Sequence, residues 1–173
     1  MKSLVMPFAI MALMLAGVAC SSSANHTTYK DSVKNALEQA ELKDVTVDEN
    51  IDKNTITLGG KLHSNDAKQQ AGQVAQSAAG DRIIANEISV EPVGNESDAR
   101  KIESNVDDAI EKNYKAVLIS KGLDKQDISF GAKNGVLTLK GKVKSAQQRQ
   151  LAEQMASNVP EVGQVVNEIE VKR

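Results

Sequence analysis

The sequence predicts an α+β protein built from two tandem αββαβ modules, each a three-stranded mixed sheet with two helices on one face. Three observations carry that prediction. The chain repeats itself without a gap at an offset of 81 positions, Gly60 falling on Gly141. Each copy carries one stretch of strict two-residue alternation. Each copy also flanks that stretch with apolar residues at helical spacing.

The duplication governs the assignment of every element that follows. Thr57-Leu58-Gly59-Gly60-Lys61-Leu62 lies against Thr138-Leu139-Lys140-Gly141-Lys142-Val143. The same offset aligns Ala71 with Ala152, Ala75 with Ala156, and Asn86-Glu87-Ile88 with Asn167-Glu168-Ile169.

Within each copy the elements follow in order. An opening helix places Val33, Ala36, Leu37 and Ala40 on one stripe, and in the second copy Ile102, Val106, Ala109, Ile110, Val117 and Leu118. The second of these helices is expected to be longer by about two turns. Short strands follow at residues 45–47 and 128–130. Turns follow them at Asp52-Lys53-Asn54 and Lys133-Asn134-Gly135, the Asn-Gly pair being a strong hairpin marker. The central strand comes next. Ile56, Leu58, Gly60 and Leu62 alternate with Thr55, Thr57, Gly59 and Lys61, and their counterparts in the second copy do the same, which predicts one buried and one wetter face. Ser64 and Ser145 are suited to N-cap a second helix. Its inner stripe reads Ala67, Ala71, Val74, Ala75 and Ala78, or Leu151, Ala152, Met155, Ala156 and Val159. A last strand closes each unit, at residues 83–90 and 162–171. The module boundary falls in Glu91-Pro92-Val93-Gly94-Asn95-Glu96, where a Pro and a Gly interrupt the pattern.

Composition narrows the function. Charged residues are 25% and the formal net charge is −2, so no global field draws the chain to nucleic acid. Aromatics are 2%, with no Trp, which leaves a core of aliphatic side chains and no stacking platform for single strands. No cluster of His, Cys, Asp or Glu has metal-ligand spacing, and neither a phosphate loop nor a nucleophile elbow occurs. His63 is replaced by Lys144 in the second copy, so the module does not need an imidazole there. No catalytic residue, metal or cofactor is therefore expected.

The first 19 residues read as an export signal. Lys2 precedes an apolar stretch over residues 4–16, too short to span a bilayer, and Gly17-Val18-Ala19 offers small residues for cleavage. Cys20 follows and is the single cysteine of the chain, so it has no internal disulfide partner. Residues 20–28 are polar and without periodicity, a tether.

Several residues could serve either architecture or binding. Gly60 and Gly141, on the predicted buried face of the central strand, are read as architecture, a helix packing where a side chain would collide; a ligand approaching bare backbone is the alternative. Asn86 and Asn167 fall in phase with inward residues and are read as satisfying backbone groups at the strand end or neighbouring loop, against a polar ligand site. Lys140, Lys142 and Lys144 lie together on the second central strand, with Lys133 before them and Arg149 beyond. Lys112, Lys115 and Lys121 flank Tyr114 on the long helix. Lysines beside apolar and aromatic groups can meet anionic headgroups, each worth up to about 1 kcal/mol; an ordinary solvated face is the bland alternative.

Two resemblances follow from these residues. Ala16-Gly17-Val18-Ala19-Cys20 resembles the lipobox of bacterial lipoproteins, departing from it at Gly17, and implies acylation of Cys20. Ser21 in place of Asp after the cysteine points to the outer membrane by the same resemblance. The run from Asn134 to Val143, then Ala152, Ala156 and Val165 to Val171, resembles the BON (bacterial OsmY and nodulation) domain. The first copy matches through residues 55–62 and 86–90 but lacks the hairpin Gly at Asn54. The expected division is a signal over 1–19, a tether over 20–28, one BON domain over 29–92, a linker over 93–97 and a second over 98–173. The resemblance to dual-BON envelope lipoproteins implies phospholipid binding, with the second domain making the anionic contact, and a role in outer-membrane integrity or osmotic-stress tolerance without catalysis. A periplasmic adaptor that binds another envelope protein through its exposed sheet faces is the rival reading.

Overall fold

The chain traces one path twice over residues 28–172, the residues described by this computed structural model. The expected signal, Cys20 and the tether up to residue 27 lie outside them. The first module runs α1 (Lys30–Gln39), β1 (Val45–Asn50), β2 (Thr55–Leu62), α2 (Asn65–Ala78), β3 (Ile83–Asn86), β4 (Ser89–Val90). The second runs α3 (Glu96–Ser120), β5 (Asp127–Lys133), β6 (Val136–Val143), α4 (Ala146–Ser157), β7 (Gln164–Asn167), β8 (Glu170–Val171).

In each module the alternating strand is central. β2 pairs antiparallel with β1 and parallel with β3 and β4, and β6 does the same with β5, β7 and β8. The expected last strand is thus broken in two, so each sheet holds four strands instead of three. The break sits opposite Gly60 and Gly141, whose positive φ (97° and 114°) turns the central strand out of regular pleating.

Those two glycines are architectural, but for a different reason from the one expected. A Cβ on Gly60 would lie 2.1 Å from the Asp44 carbonyl oxygen, and one on Gly141 2.0 Å from that of Asp127. The neighbour is the backbone entering the antiparallel edge strand, not a helix.

Ser64 and Ser145 cap α2 and α4, each hydroxyl accepting an N–H 3.2 Å away from Ala67 and Gln148. The alanine stripe brings α2 close to the sheet: Ala71 and Ala75, like Ala152 and Ala156, are fully buried. The first core gathers Val33, Leu37, Ile56, Leu58 and Ile88 around them. The second gathers Ile110, Tyr114, Leu118, Leu137, Leu139 and Ile169. Three residues of the expected inner stripes do not go inside: Ile102 and Leu151 are exposed large apolar side chains, and Ala109 is also exposed.

The expected extra two turns of the second opening helix are an underestimate. α3 has 25 residues and α1 has 10, a difference of about four turns. The added turns join the modules. Glu103, Asp107 and Glu111, four residues apart, share one face of α3. Glu103 accepts the Val90 N–H (2.8 Å) and the Ser89 hydroxyl (2.6 Å) at the end of the first module. Asp107 accepts the N–H groups of Asn134 (2.8 Å) and Gly135 (3.0 Å) in the β5–β6 hairpin, and Glu111 that of Ala132 (2.9 Å). The sheet faces away from the helices also meet, Ala85 packing with Val136 and Val166. This contact buries Val136, which alternation alone places on the wetter face.

Candidate functional site: the lysine surfaces and the module junction

The lysines singled out in the second module divide into two groups. Lys140 lies 3.9 Å from the Glu168 carboxylate and Lys142 3.2 Å from Glu170; Lys133, beside them, lies 3.0 Å from Glu87. The basic strand is therefore faced by an acidic one. Hydrogen bonds from Lys53 and Lys142 hold the Glu170 carboxyl below the ordinary carboxylate range, and Glu170 in turn raises Lys53. This pair crosses the modules, since Lys53 belongs to the first hairpin.

The helix lysines are different. Lys112, Lys115 and Lys121, with Lys144 at the end of β6, have no ion-pair partner among the described residues. Lys112, Lys115 and Lys121 are exposed. Lys112, Lys115, Ala116 and Ile119 follow each other at three, four and seven residues, one stripe of α3, and Ile119 is 56% exposed. Lys121 stands at the C-terminal end of the same helix, where a cation is favoured.

Tyr114 does not belong to this surface, contrary to expectation. It is fully buried, meets Phe130 edge to face at 5.0 Å, and donates its hydroxyl to the Ala152 carbonyl at 3.1 Å. Burial pushes its pKa up to about 12. It is the core residue that Val33 is in the first module, one offset of 81 away.

Asn86 and Asn167 sit at matching places on β3 and β7, and each amide reaches the neighbouring helix. Asn86 Nδ2 donates to the Lys68 carbonyl at 2.8 Å and Asn167 Nδ2 to that of Arg149 at 3.4 Å. Lys68 and Arg149 are again 81 apart. Both asparagines tie a strand end to a helix, where backbone groups of the strand end or a loop were expected. Asn167 makes that expected bond as well, its Oδ1 accepting the Ile169 N–H at 3.1 Å.

The repeat thus survives as a repeat of contacts, and the family comparison agrees. The BON domain family matches residues 25–92 and again 95–173. The chain belongs to the BON family. Among solved structures, it is similar to two of CdsD, a structural protein of the type III secretion system of Chlamydia trachomatis. One is 15% identical over 80% of this chain and 62% of that one, with a TM-score of 0.31. The other is 13% identical over 83% and 61%, with a TM-score of 0.33. The BON chain thus spans less than two thirds of either CdsD chain's length. A comparison with curated proteins finds no match.

Where the two BON modules dock, a cleft of about 340 Å³ opens that the sequence did not announce. The start of α2 forms one wall (Asn65, Asp66, Lys68, Gln69), and the β5–β6 hairpin with Gly163 and Gln164 forms the other. Lys68 donates to the Asn134 carbonyl across it at 2.9 Å, and burial lowers its pKa, against the pull of Glu103, Asp107 and Glu87. Asn134 donates its side-chain N–H to the Glu87 carbonyl at 2.7 Å. Gln164 bridges to the outer edge of β3, donating to the Ile84 carbonyl and accepting the Asn86 N–H at 3.1 Å. Only offsets within the repeat hint at this site: Gln164 stands where the first module has Ile83, and Gly72 where the second has Glu153.

Among the described residues no group of three His, Cys, Asp or Glu is placed to hold a metal ion, and no helix is long and apolar enough to cross a membrane. His63 Nδ1 lies 2.9 Å from the Glu91 carbonyl oxygen, a link between the α2 entry and the end of the first module.

Proposed function

We propose that this BON protein is a non-catalytic envelope lipoprotein, held in the outer membrane by acylated Cys20 and facing the periplasm. Its second module adds a weak contact with anionic phospholipid headgroups that supports outer-membrane integrity or tolerance of osmotic stress. The observation that carries this reading is the α3 stripe of unpaired Lys112 and Lys115 beside exposed Ile119, with Lys121 at the helix end. An unpaired lysine retains its full charge for a headgroup, and an exposed aliphatic side chain gives the apolar boundary something to receive. Lys140 and Lys142 are assigned a lesser part, because Glu168 and Glu170 already neutralise them; Lys144 stays with the headgroup contact. The anchor raises the effective concentration of the module at the bilayer, so a low intrinsic affinity is enough.

The test is sedimentation with vesicles of the chain beginning at Ser21, which carries both modules and no acyl group. Anionic vesicles are expected to bring it down and zwitterionic vesicles to leave it in solution. Reversing Lys112, Lys115 and Lys121 to Glu is expected to remove that preference, at about 1 kcal/mol or more per site. Reversing Lys140 and Lys142 is expected to change it little. Equal sedimentation with both vesicle types would sink the lipid reading and leave the rival adaptor, which crosslinking in cells would then show as one dominant protein partner. The intact mass of the protein from membranes tests the anchor separately, through a diacyl or triacyl adduct on Cys20.

A further inference from the structure

The two structural asparagines have different surroundings, and the difference opens a site. In the second module Asn167 is satisfied at both ends of its amide. Its Nδ2 donates to Glu153 at 2.9 Å as well as to Arg149, and its Oδ1 accepts the Ile169 N–H. In the first module the position of Glu153 is Gly72, and a Cβ there would come within 2.9 Å of Asn86 Nδ2. Asn86 Oδ1 is buried and no donor among the described residues reaches it. An acceptor in that condition is met by an N–H or O–H from an ordered water or from a bound molecule that takes the water's place.

Asn86 is one of the residues that line the junction cleft, its Oδ1 buried at the side of it, and the rest of the lining states the chemistry. Five of its residues are carboxamides (Asn65, Gln69, Asn86, Asn134, Gln164), balanced by one cation, Lys68, and one anion, Asp66. Carboxamides both donate and accept, which suits hydroxyl groups that do the same. With one charge of each sign and no aromatic ring, the lining favours neither an ion nor a base. Its volume is that of a small-ligand site. We infer that the cleft between the modules is a binding site for a neutral polyhydroxylated ligand, one or two sugar rings, with a ligand hydroxyl or amide N–H supplied to Asn86 Oδ1. Lacking a stacking platform, the site binds weakly, with Kd on the order of 1 mM. This proposal does not depend on the α3 surface.

The test is a titration of the 15N-labelled chain, with both modules present, against glucose, N-acetylglucosamine and maltose. At least one sugar is expected to give saturable shifts at the Asn86 side-chain amide and at the Gly135 and Gly163 N–H groups. Gln69→Ala, on an exposed position where folding is not at risk, is expected to weaken binding severalfold. Gly72→Glu copies what the second module carries and crowds the Asn86 carboxamide, whose Nδ2 a Cβ there would approach to 2.9 Å, and is expected to weaken binding by about tenfold. Asn167→Ala and the α3 charge reversals are expected to leave the titration unchanged. No saturable shift with any of the three sugars overturns the inference. So do shifts that persist undiminished in Gln69→Ala and Gly72→Glu, or that gather around Asn167.

Discussion

At one contact the two BON modules place the same acid on opposite elements. In the first, Glu49 on β1 accepts the N–H groups of Tyr29 (3.0 Å) and Lys30 (3.1 Å), where α1 begins. In the second, the register position of Glu49 is Ala132 and the counterpart of Lys30 is Glu111. There Glu111 on the helix accepts the Ala132 N–H on the strand. The reason is helix length. α1 starts at this contact and offers free N–H groups, which an acid on the strand can satisfy. α3 runs on for several turns past it, its N–H groups are used internally, and the free donors are those of the edge strand. Lengthening one helix thus reverses the direction of the hydrogen bond and frees α3 to join the modules.

The largest effect that bears on this comparison lies in the cores. Val33 and Tyr114 occupy the same position, but Tyr114 fills far more volume, packs on Phe130 and satisfies its hydroxyl on Ala152. Tyr114→Ala is expected to cost about 4 kcal/mol and Val33→Ala clearly less, measured by denaturant unfolding of the chain. Tyr114→Phe, which removes only the bond to the Ala152 carbonyl, is expected to cost about 1 kcal/mol. If Tyr114→Ala were mild, the residue would be free to move outward, and its exclusion from the lipid-facing stripe would have to be withdrawn.

Acid sensitivity gives the next effect. Burial pushes the Glu49 carboxyl up, but the bonds from Thr28, Arg82, Lys30 and Tyr29 outweigh it, and its pKa lies below the ordinary value of 4.5. A depressed carboxylate pKa adds stability that is complete above pH 4.5 and lost as pH falls through the folded value. Glu49→Gln is expected to remove about 2 kcal/mol at neutral pH. The gap between variant and parent should close below pH 4.5, as seen in denaturant midpoints across pH. A gap that widens in acid would reverse the sign assigned to Glu49.

The comparison also shows which parts of the molecule the sequence made legible. Alternation in β2 and β6, the serine caps and the buried alanines were readable because each depends on near neighbours along the chain. Gly60 and Gly141 were found but explained by the wrong neighbour, because positive φ leaves no periodic trace. Asn54 stands where the second copy has its hairpin glycine, Gly135. It occupies the left-handed region itself (φ 55°) and uses its side chain to hold the Asp81 carbonyl at 2.9 Å, with Arg82 donating to its Oδ1. Tyr114, Ile102 and Leu151 were misassigned because a helical stripe fixes which residues share a face, not how wide the buried part of that face is. The greater length of α3 was legible but only to half its extent, since the added turns pack at the junction with the other module. The junction cleft was invisible for the same reason: it exists only once Ala85 meets Val136 and Val166.

The smallest effect concerns that docking. β3 is an edge strand, and the Gln164 carboxamide lies along it as a further peptide group would, accepting from Asn86 N–H and donating to the Ile84 carbonyl. The first module has Ile83 at the corresponding position, so β7 receives no such cover in return. Gln164→Ala should cost only about 1 kcal/mol, because water can replace both bonds once the edge is exposed. Amide hydrogen exchange reads it more sharply than global unfolding does. With Gln164 gone, the Asn86 N–H is expected to exchange about fivefold faster, the equivalent of that loss, while the Leu58-bonded Glu87 N–H next to it keeps its rate. Acceleration at both sites would mean that the whole β3 edge opens and that docking of the second module, not one side chain, protects it. Acceleration at Asn86 alone would identify Gln164 as the residue that closes the first sheet.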